Sequence, residues 1–145
     1  MKIGIFFNDA GYEGRDFSAP QSGNPGIGGT EYCFIMLMHY LSMDSEYKVV
    51  CYHLKENRLP QAVEERLVGS QVQAGEAAAG DGVEVLITNK PIEEPVFEAI
   101  DRCRVRTISW AHNYLIGDCL RLHRQCGYLK RIVFVGRQAY DRYID

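Results

Sequence analysis

The alternation of short apolar segments with helix-like segments is the feature that most constrains the fold of this chain. The segments that predict strands are residues 2–7, 47–53, 83–89, 105–113 and 130–136. The segments that predict helices are residues 29–42, 60–69, 92–103, 117–129 and a last one that begins at 137. Regular alternation of this kind predicts an α/β fold, a doubly wound parallel sheet with helices on both faces.

The ends of two predicted helices carry specific signals. The helix at 29–42 should begin with Gly29 or Thr30 as its N-cap, and its apolar residues run nearly all round, which predicts a well-buried helix. The segment 60–69 starts with proline and ends with glycine, as short helices often do. Residues 70–82 predict only a short strand and a turn.

Composition and charge limit the classes of function. The chain has 145 residues, which suits one domain over 1–145, and its net charge of −3 does not indicate a nucleic-acid partner. The charge is uneven, because residues 102–145 hold nine Lys/Arg against three Asp/Glu. This basic end could face a phosphate or a lipid head group, or it could be a solvated surface.

Cysteine and histidine usage indicates a cytoplasmic protein. The five cysteines form no CxxC pair and predict reduced, mostly buried thiols, and the four histidines have no metal-ligand spacing. No signal peptide is visible, and no apolar run approaches the roughly 20 residues that span a bilayer. Any membrane contact is therefore expected at the surface, on the inner face of the membrane.

Ligands of doubly wound sheets bind at the carboxyl ends of the strands, where the sequence places a glycine-rich stretch. Gly26, Gly28 and Gly29 stand just before Thr30 and Glu31, at the start of the first helix. Glycines allow close approach of a ligand, and a helix N-terminus attracts anions. The stretch is neither a Walker loop nor GxGxxG. Turn geometry alone explains the glycines equally well, and Glu31 equally suits the helix dipole or ligand hydroxyls.

Two further strand ends carry candidate binding groups. His112 and Asn113 follow the strand at 105–113, where a histidine can donate to a sugar hydroxyl or a phosphate, act as acid or base, or serve structure alone. Arg137 follows the last strand and can pair with a phosphate or lie on a helix surface. The remaining histidines and all cysteines are assigned to structure.

Four motifs in this order resemble the N-terminal domain of retaining glycosyltransferases of family 4, which have the two-domain GT-B architecture. They are "KIGIFF", "GIGGTE", "ISWAHN" and "RIVFVGRQAYDRYI". The resemblance covers nearly the whole chain. It departs from the family at Gly136, where a serine usually follows the strand.

The resemblance implies a Rossmann-like domain that helps to move a sugar from a nucleotide-sugar donor to an acceptor, with retention. The acceptor would be a glycan, a lipid-linked glycan or another saccharide. Gly28, Gly29, Thr30 and Glu31 would line the junction of donor and acceptor, and His112 would match the catalytic-cleft histidine that contacts the transferred sugar. The family usually needs no metal, and we expect no other cofactor.

The same resemblance implies that the family's donor-binding basic pair and its Glu-x7-Glu signature belong to a second domain beyond Asp145. We therefore expect residues 1–145 to be inactive alone and to expose an apolar cleft face that favours dimers or weak binding. The alternatives are a stand-alone Rossmann-like or flavodoxin-like binding module without catalysis, and an interaction domain that docks through its basic end.

Overall fold

The computed structural model describes residues 1–88, 94–111 and 124–134, and it confirms the doubly wound α/β fold. Six strands form one all-parallel sheet in the order β3-β2-β1-β4-β5-β6. The strands are β1 (Lys2–Phe7), β2 (Lys48–His53), β3 (Glu64–Leu67), β4 (Val85–Thr88), β5 (Arg106–Ala111) and β6 (Leu129–Phe134). The helices are α1 (Gly29–Met43), α2 (Gln71–Gly80) and α3 (Glu94–Cys103). This is the Rossmann strand order, with its switch point between β1 and β4.

Helices cover both faces of this sheet because the buried strands are apolar on both sides. Ile3, Ile5 and Phe7 of β1 pack against one side of α1. Phe6 of β1 points the other way and packs against Ala74 of α2, since successive strand residues alternate between faces. Helix α3 lies beside α2 and forms a separate apolar cluster with the start of β6.

The predicted helix at 60–69 is wrong, because this segment contains the edge strand β3. The backbone N–H of Val63 closes a turn on Pro60, and the next four residues pair in parallel with β2 from Val50 to His53. All four residues of β3 are exposed. A charged edge strand of this kind protects a sheet from further pairing. Its sequence, EERL, shows no alternation of apolar and polar residues, so the pattern that predicts a strand is missing.

The short strand and turn predicted for 70–82 are also wrong, because α2 occupies most of this segment. Ser70 is the N-cap, and its Oγ accepts a hydrogen bond of 3.2 Å from the backbone N–H of Gln73. The Gln73 side chain in turn accepts one of 2.7 Å from the N–H of Gly69. This reciprocal arrangement is closely related to a capping box and fixes the start of the helix.

Helix α1 lies where it was predicted, but its cap and its burial differ from the prediction. Gly28 is the N-cap, and its carbonyl accepts the first helical hydrogen bond, from Tyr32 N–H at 2.9 Å. The helix buries a single face, whose residues are Phe34, Ile35 and Met38. Tyr40 and Met43 are 62% and 69% exposed, because the sheet covers only one side of the helix.

The other predicted elements agree with the structure within a few residues. The helix predicted at 92–103 is α3, and the five strands predicted outside 70–82 correspond to β1, β2, β4, β5 and β6. Most of the helix predicted at 117–129 and all of the one that begins at 137 lie outside the described residues. The predicted end of the first of these helices is wrong, because only residues 124 and 125 of its described part are helical and Leu129 already begins β6. Of the cysteines that the structure describes, Cys51 and Cys126 are buried, Cys33 is exposed, and all are free thiols. None of the described helices has the length and apolar composition needed to span a bilayer.

Candidate ligand-binding edge of the sheet

The start of α1 lies at the edge of the sheet where a Rossmann fold binds its ligands. Strands β1 and β4 are neighbours, with Phe6 opposite Thr88 near their carboxyl ends. The segment 8–28 leaves β1 at this edge and leads into α1. The switch point of the sheet is therefore next to the glycine-rich stretch that the sequence singled out.

The segment 8–28 is packed against the rest of the domain. Three backbone hydrogen bonds fasten it to the connection between β2 and β3. They join Gly14 N–H to Glu56 O, Phe17 N–H to Arg58 O and Arg58 N–H to Arg15 O, at 3.2, 2.7 and 3.0 Å. The Phe17 ring enters the core and meets Phe7 edge-on, with centroids 5.8 Å apart. These contacts give the start of α1 a fixed approach from β1.

Turn geometry accounts for the first glycine of the stretch. Gly26 has a φ of +83°, a value that favours glycine. The Asn24 side chain holds this turn, because its Oδ1 accepts from the N–H groups of Gly26 and Ile27, both at 2.9 Å. Its Nδ2 donates back to the Ile27 carbonyl at 3.0 Å. No ligand is needed to explain Gly26.

The chain's own glutamate fills the space beside the second glycine. The N–H of Gly28 donates to the Tyr12 hydroxyl at 3.2 Å. A Cβ on Gly28 would lie 2.3 Å from Oε2 of Glu31, so this side chain folds back over the start of its own helix. Glu31 is half-buried and occupies the first turn, where a carboxylate complements the helix dipole.

Gly29 has no such internal explanation. It is exposed, it is the first residue of α1, and a Cβ built on it meets nothing within 4 Å. Its φ lies outside the range that favours glycine. The first turn of a helix, here Gly29 to Glu31, carries backbone N–H groups that no intrahelical carbonyl accepts. Helix α1 therefore begins with an open backbone surface that suits an anion or a hydroxyl.

The other predicted site residues, His112, Asn113 and Arg137, lie outside the described residues, and their roles stay predictions. Of the predicted site residues, the described part of the structure contains Gly28, Gly29, Thr30 and Glu31, which are consecutive at the start of α1. Strand β5 does run to Ala111, directly before the predicted histidine. Trp110 of β5 packs against Phe34 of α1, with ring centroids 5.2 Å apart.

A buried polar cluster at the same edge of the sheet escaped the sequence analysis. Asp9 follows β1 and is fully buried, and His53 ends β2 with 2% of its surface exposed. Asp9 accepts hydrogen bonds from Leu54 N–H at 2.7 Å and from Asn57 Nδ2 at 2.5 Å. His53 Nδ1 lies 3.5 Å from Asp9 Oδ2, and its Nε2 lies 3.7 Å from Oε2 of Glu65. These two distances are ion-pair contacts, longer than ordinary hydrogen bonds.

The contacts in this cluster favour the charged forms of both partners. Burial works against a charged imidazole, but the contacts with Asp9 outweigh it and raise the pKa of His53 above its usual value. Burial likewise works against a charged carboxylate, but the contact with His53 and the hydrogen bonds from Leu54 and Asn57 nevertheless lower the pKa of Asp9. The cluster thus favours a buried imidazolium–carboxylate pair, and the contacts of Asp9 with His53 and Leu54 tie β2 to the segment after β1.

The part of the chain that the structure describes contains no group of three His, Cys, Asp or Glu side chains placed to hold a metal ion. No family model, no curated protein and no solved structure matches the chain. The function therefore has to be argued from the fold and from the open start of α1.

Proposed function

We propose that the protein is the acceptor-side domain of a glycosyltransferase, and that the start of α1 contacts the sugar-phosphate part of a nucleotide-sugar donor. One observation carries the proposal. Gly29 opens the first turn of a helix at the switch edge of a Rossmann sheet, and no part of the described chain fills the space beside it. The motifs that resemble family 4 glycosyltransferases indicate a nucleotide sugar as the ligand for this open helix start.

The charges at the helix start suggest how such a ligand would lie. The N–H groups of Gly29 and Thr30 attract a phosphate, and the helix dipole adds to this attraction. The carboxylate of Glu31 repels a phosphate but accepts hydrogen bonds from sugar hydroxyls. We therefore assign the diphosphate to the side of Gly29 and the transferred sugar to the side of Glu31.

The groups predicted at the neighbouring strand ends complete the proposal. His112 would contact the transferred sugar in the cleft, Asn113 would bind a substrate hydroxyl, and Arg137 would pair with a phosphate. The chemistry needs no metal or other cofactor. Most of the donor site would come from a second domain, as it does in GT-B enzymes, so that this domain alone binds without transferring sugar.

Binding of a nucleotide sugar is the first test of the site. The protein is titrated with UDP-glucose and GDP-mannose, with the Gly29→Val variant alongside. The added side chain blocks the open helix start, and loss of a phosphate contact lowers affinity roughly tenfold or more. Gly80→Val is the matched control, because Gly80 is also an exposed terminal residue of a helix with open space around its Cβ.

The outcomes of this titration separate a binding role from a purely structural one. Weaker binding in Gly29→Val, with normal binding in Gly80→Val and unchanged urea unfolding in both, supports the site. Equal binding in all three proteins places the ligand elsewhere. No binding at millimolar concentrations of either nucleotide sugar contradicts the proposal.

A stand-alone nucleotide-binding module is the second candidate, because the six described strands follow the Rossmann strand order. The strand order is not the flavodoxin-like 2-1-3-4-5, so the flavodoxin form of this alternative is not supported. Sugar transfer distinguishes the two candidates. A glycosyltransferase transfers radiolabelled sugar once a donor domain is joined to residues 1–145, whereas a binding module retains affinity and transfers nothing.

A further inference from the structure

A basic cavity lies at the amino-terminal ends of β4, β5 and β6, on the side of the sheet opposite to the carboxyl-terminal ends near the start of α1. Its volume is about 510 Å³. The described residues that line it are Val85, Arg106, Ile108, Lys130 and Arg131. Two aliphatic side chains thus lie beside three cationic ones, and the described lining contains no carboxylate. Its three cations belong to the basic region 102–145, and the proposed function assigns no role to this cavity.

A β-bulge explains how two adjacent residues of β6 reach the same cavity. Leu129 pairs with Thr107 and Arg131 pairs with Ile108, so Lys130 is an extra residue between these two pairs. Adjacent residues of a regular strand point to opposite faces of a sheet. The bulge interrupts that alternation and allows Lys130 and Arg131 to line one cavity. Bulges are frequent where a strand must redirect a side chain for function.

The three cations of the cavity are not neutralised by the chain that the structure describes. In residues 1–88, 94–111 and 124–134, no carboxylate forms an ion pair with Arg106, Lys130 or Arg131. Lys130 donates to the Gly127 carbonyl, and Nη1 of Arg131 donates to the Lys130 carbonyl at 2.9 Å. Backbone carbonyls leave the net charge in place, and a cleft lined by one sign of charge concentrates its potential on a counter-ion.

We infer that this cavity binds a phosphate-bearing ligand, with the phosphate on the two arginines and an apolar part against Val85 and Ile108. A guanidinium forms paired hydrogen bonds with phosphate oxygens, which gives the site its chemical preference. The site is separate from the start of α1. Arg106 is the first residue of β5, whereas the start of α1 lies near the carboxyl-terminal ends of the strands. Six residues of strand span roughly 17 to 20 Å. The inference does not depend on the proposed function.

The single tryptophan of the chain reports on this site. Trp110 lies two residues after Ile108 on β5, so both point to the same face of the sheet. Its fluorescence is followed while the protein is titrated with inorganic pyrophosphate. A second titration uses vesicles of equimolar phosphatidylglycerol and phosphatidylcholine, with pure phosphatidylcholine vesicles as the blank. The two titrations distinguish a soluble phosphate ligand from a lipid head group.

Substitution of the exposed arginines tests the cavity itself. Arg106→Gln and Arg131→Gln each remove one charge-assisted contact, and each should weaken binding about tenfold or more. Arg124→Gln is the matched control, because Arg124 is an exposed arginine of the same basic region that does not line the cavity. Circular dichroism confirms that the variants are folded.

Every outcome of these titrations decides for or against the inference. Pyrophosphate binding that only the two cavity variants weaken supports a soluble phosphate ligand. The same variant pattern with anionic vesicles alone supports a lipid phosphate. Equal losses in all three variants indicate diffuse surface charge and overturn the inference. Binding that no variant alters, or no binding to either probe, overturns it as well.

Discussion

Replacement of Asp9 by asparagine tests whether the buried pair with His53 contributes to the stability of the domain. Asparagine has nearly the same shape, and its amide oxygen can still accept the N–H of Leu54. The other end of the amide is a donor, and it would face the Nδ2 of Asn57 and the Nδ1 of His53, which are 2.5 and 3.5 Å from Asp9 Oδ2. The substitution therefore removes the charge and sets donor against donor.

The cost follows from the burial of the pair. Removal of one partner of a buried ion pair costs about 3–5 kcal/mol. His53 can lose its proton and so avoid an unpaired buried charge, which limits the penalty. We therefore expect Asp9→Asn to lower the free energy of unfolding by about 3 kcal/mol at pH 5.5, the lower end of that range.

The pH dependence has a definite sign. The pKa of His53 is raised in the folded protein, so its stabilisation is complete below the unfolded value of about 6.5 and is lost as the pH rises through the folded value. The pKa of Asp9 is lowered, so its stabilisation is present above about pH 4 and is lost as the pH falls through its folded value. Both contributions are complete near pH 5.5.

Urea unfolding between pH 5.5 and 8.5 measures these contributions. The wild-type protein should lose stability as the pH rises above about 6.5, with a slope of at most about 1.4 kcal/mol per pH unit for one proton. In Asp9→Asn, burial lowers the pKa of His53, and the contacts with Asp9 that opposed this effect are lost, which leaves only the smaller contributions of the Lys55 backbone and the half-exposed Glu65. This decline should therefore become much shallower. The effect of the substitution should consequently be smaller at pH 8.5 than at pH 5.5.

A surface carboxylate of the same segment provides the control. Asp16 is exposed and bonds to Ser18, so Asp16→Asn should leave the slope between pH 6.5 and 8.5 unchanged. An equal loss of stability at both pH values in Asp9→Asn would show that the pair carries no imidazolium. The reasoning about the cluster would then be wrong, whatever the size of the loss.

Two substitutions test the packing around α2. Ser70→Ala removes the N-cap that accepts from Gln73 and should lower the free energy of unfolding by about 1 kcal/mol, measured by urea unfolding. Tyr52→Phe removes the hydroxyl that donates to Asp81 at 2.9 Å and should cost about 1 kcal/mol in the same assay. Because burial raises the pKa of Tyr52, that cost should stay constant from pH 6 to 9, and a cost that varies over this range would contradict the assignment.

The fold class was predictable because the central strands are recognisable in the sequence as short apolar runs. A parallel sheet covered on both faces requires strands that are apolar on both sides, and β1 and β2 have this composition. The edge strand β3 could not be recognised, since each of its four residues faces solvent and its pairing with β2 lies in tertiary structure. A proline and a glycine near its ends resembled the limits of a helix.

The misassignment of α2 has a different cause. Gly75 and Gly80 lower the helix propensity of the segment, and with Glu76 as its only charged residue the helix shows no amphipathic repeat. The sequence nevertheless contained a start signal, the Ser70–Gln73 pair just before a run of alanines. Burial of Ala74 on the sheet then supplies the stability that propensity does not. Attention to the cap would have found this helix.

The Asp9–His53 pair was predictable in principle from strand register. Consecutive strands of such folds are usually neighbours, and residues at the carboxyl ends of parallel neighbours lie close together. Phe7 pairs with His53, so the residues just after β1 meet the end of β2. What the sequence does not reveal is the third component, Asn57, because it approaches from the irregular connection between β2 and β3.

That irregular connection also explains why the segment after β1 is so long. Residues 54–63, all described, contain no helix, so the face of the sheet beside α1 would lack the cover that a second crossover helix normally gives. Phe17 and Ile27 from the long segment fill this place together with Leu59 and Val63. The length of the segment is therefore a packing requirement and is not by itself evidence of ligand binding. The packed segment leads directly into α1, and within the glycine-rich stretch Gly29 remains the glycine for which neither φ nor packing offers a reason.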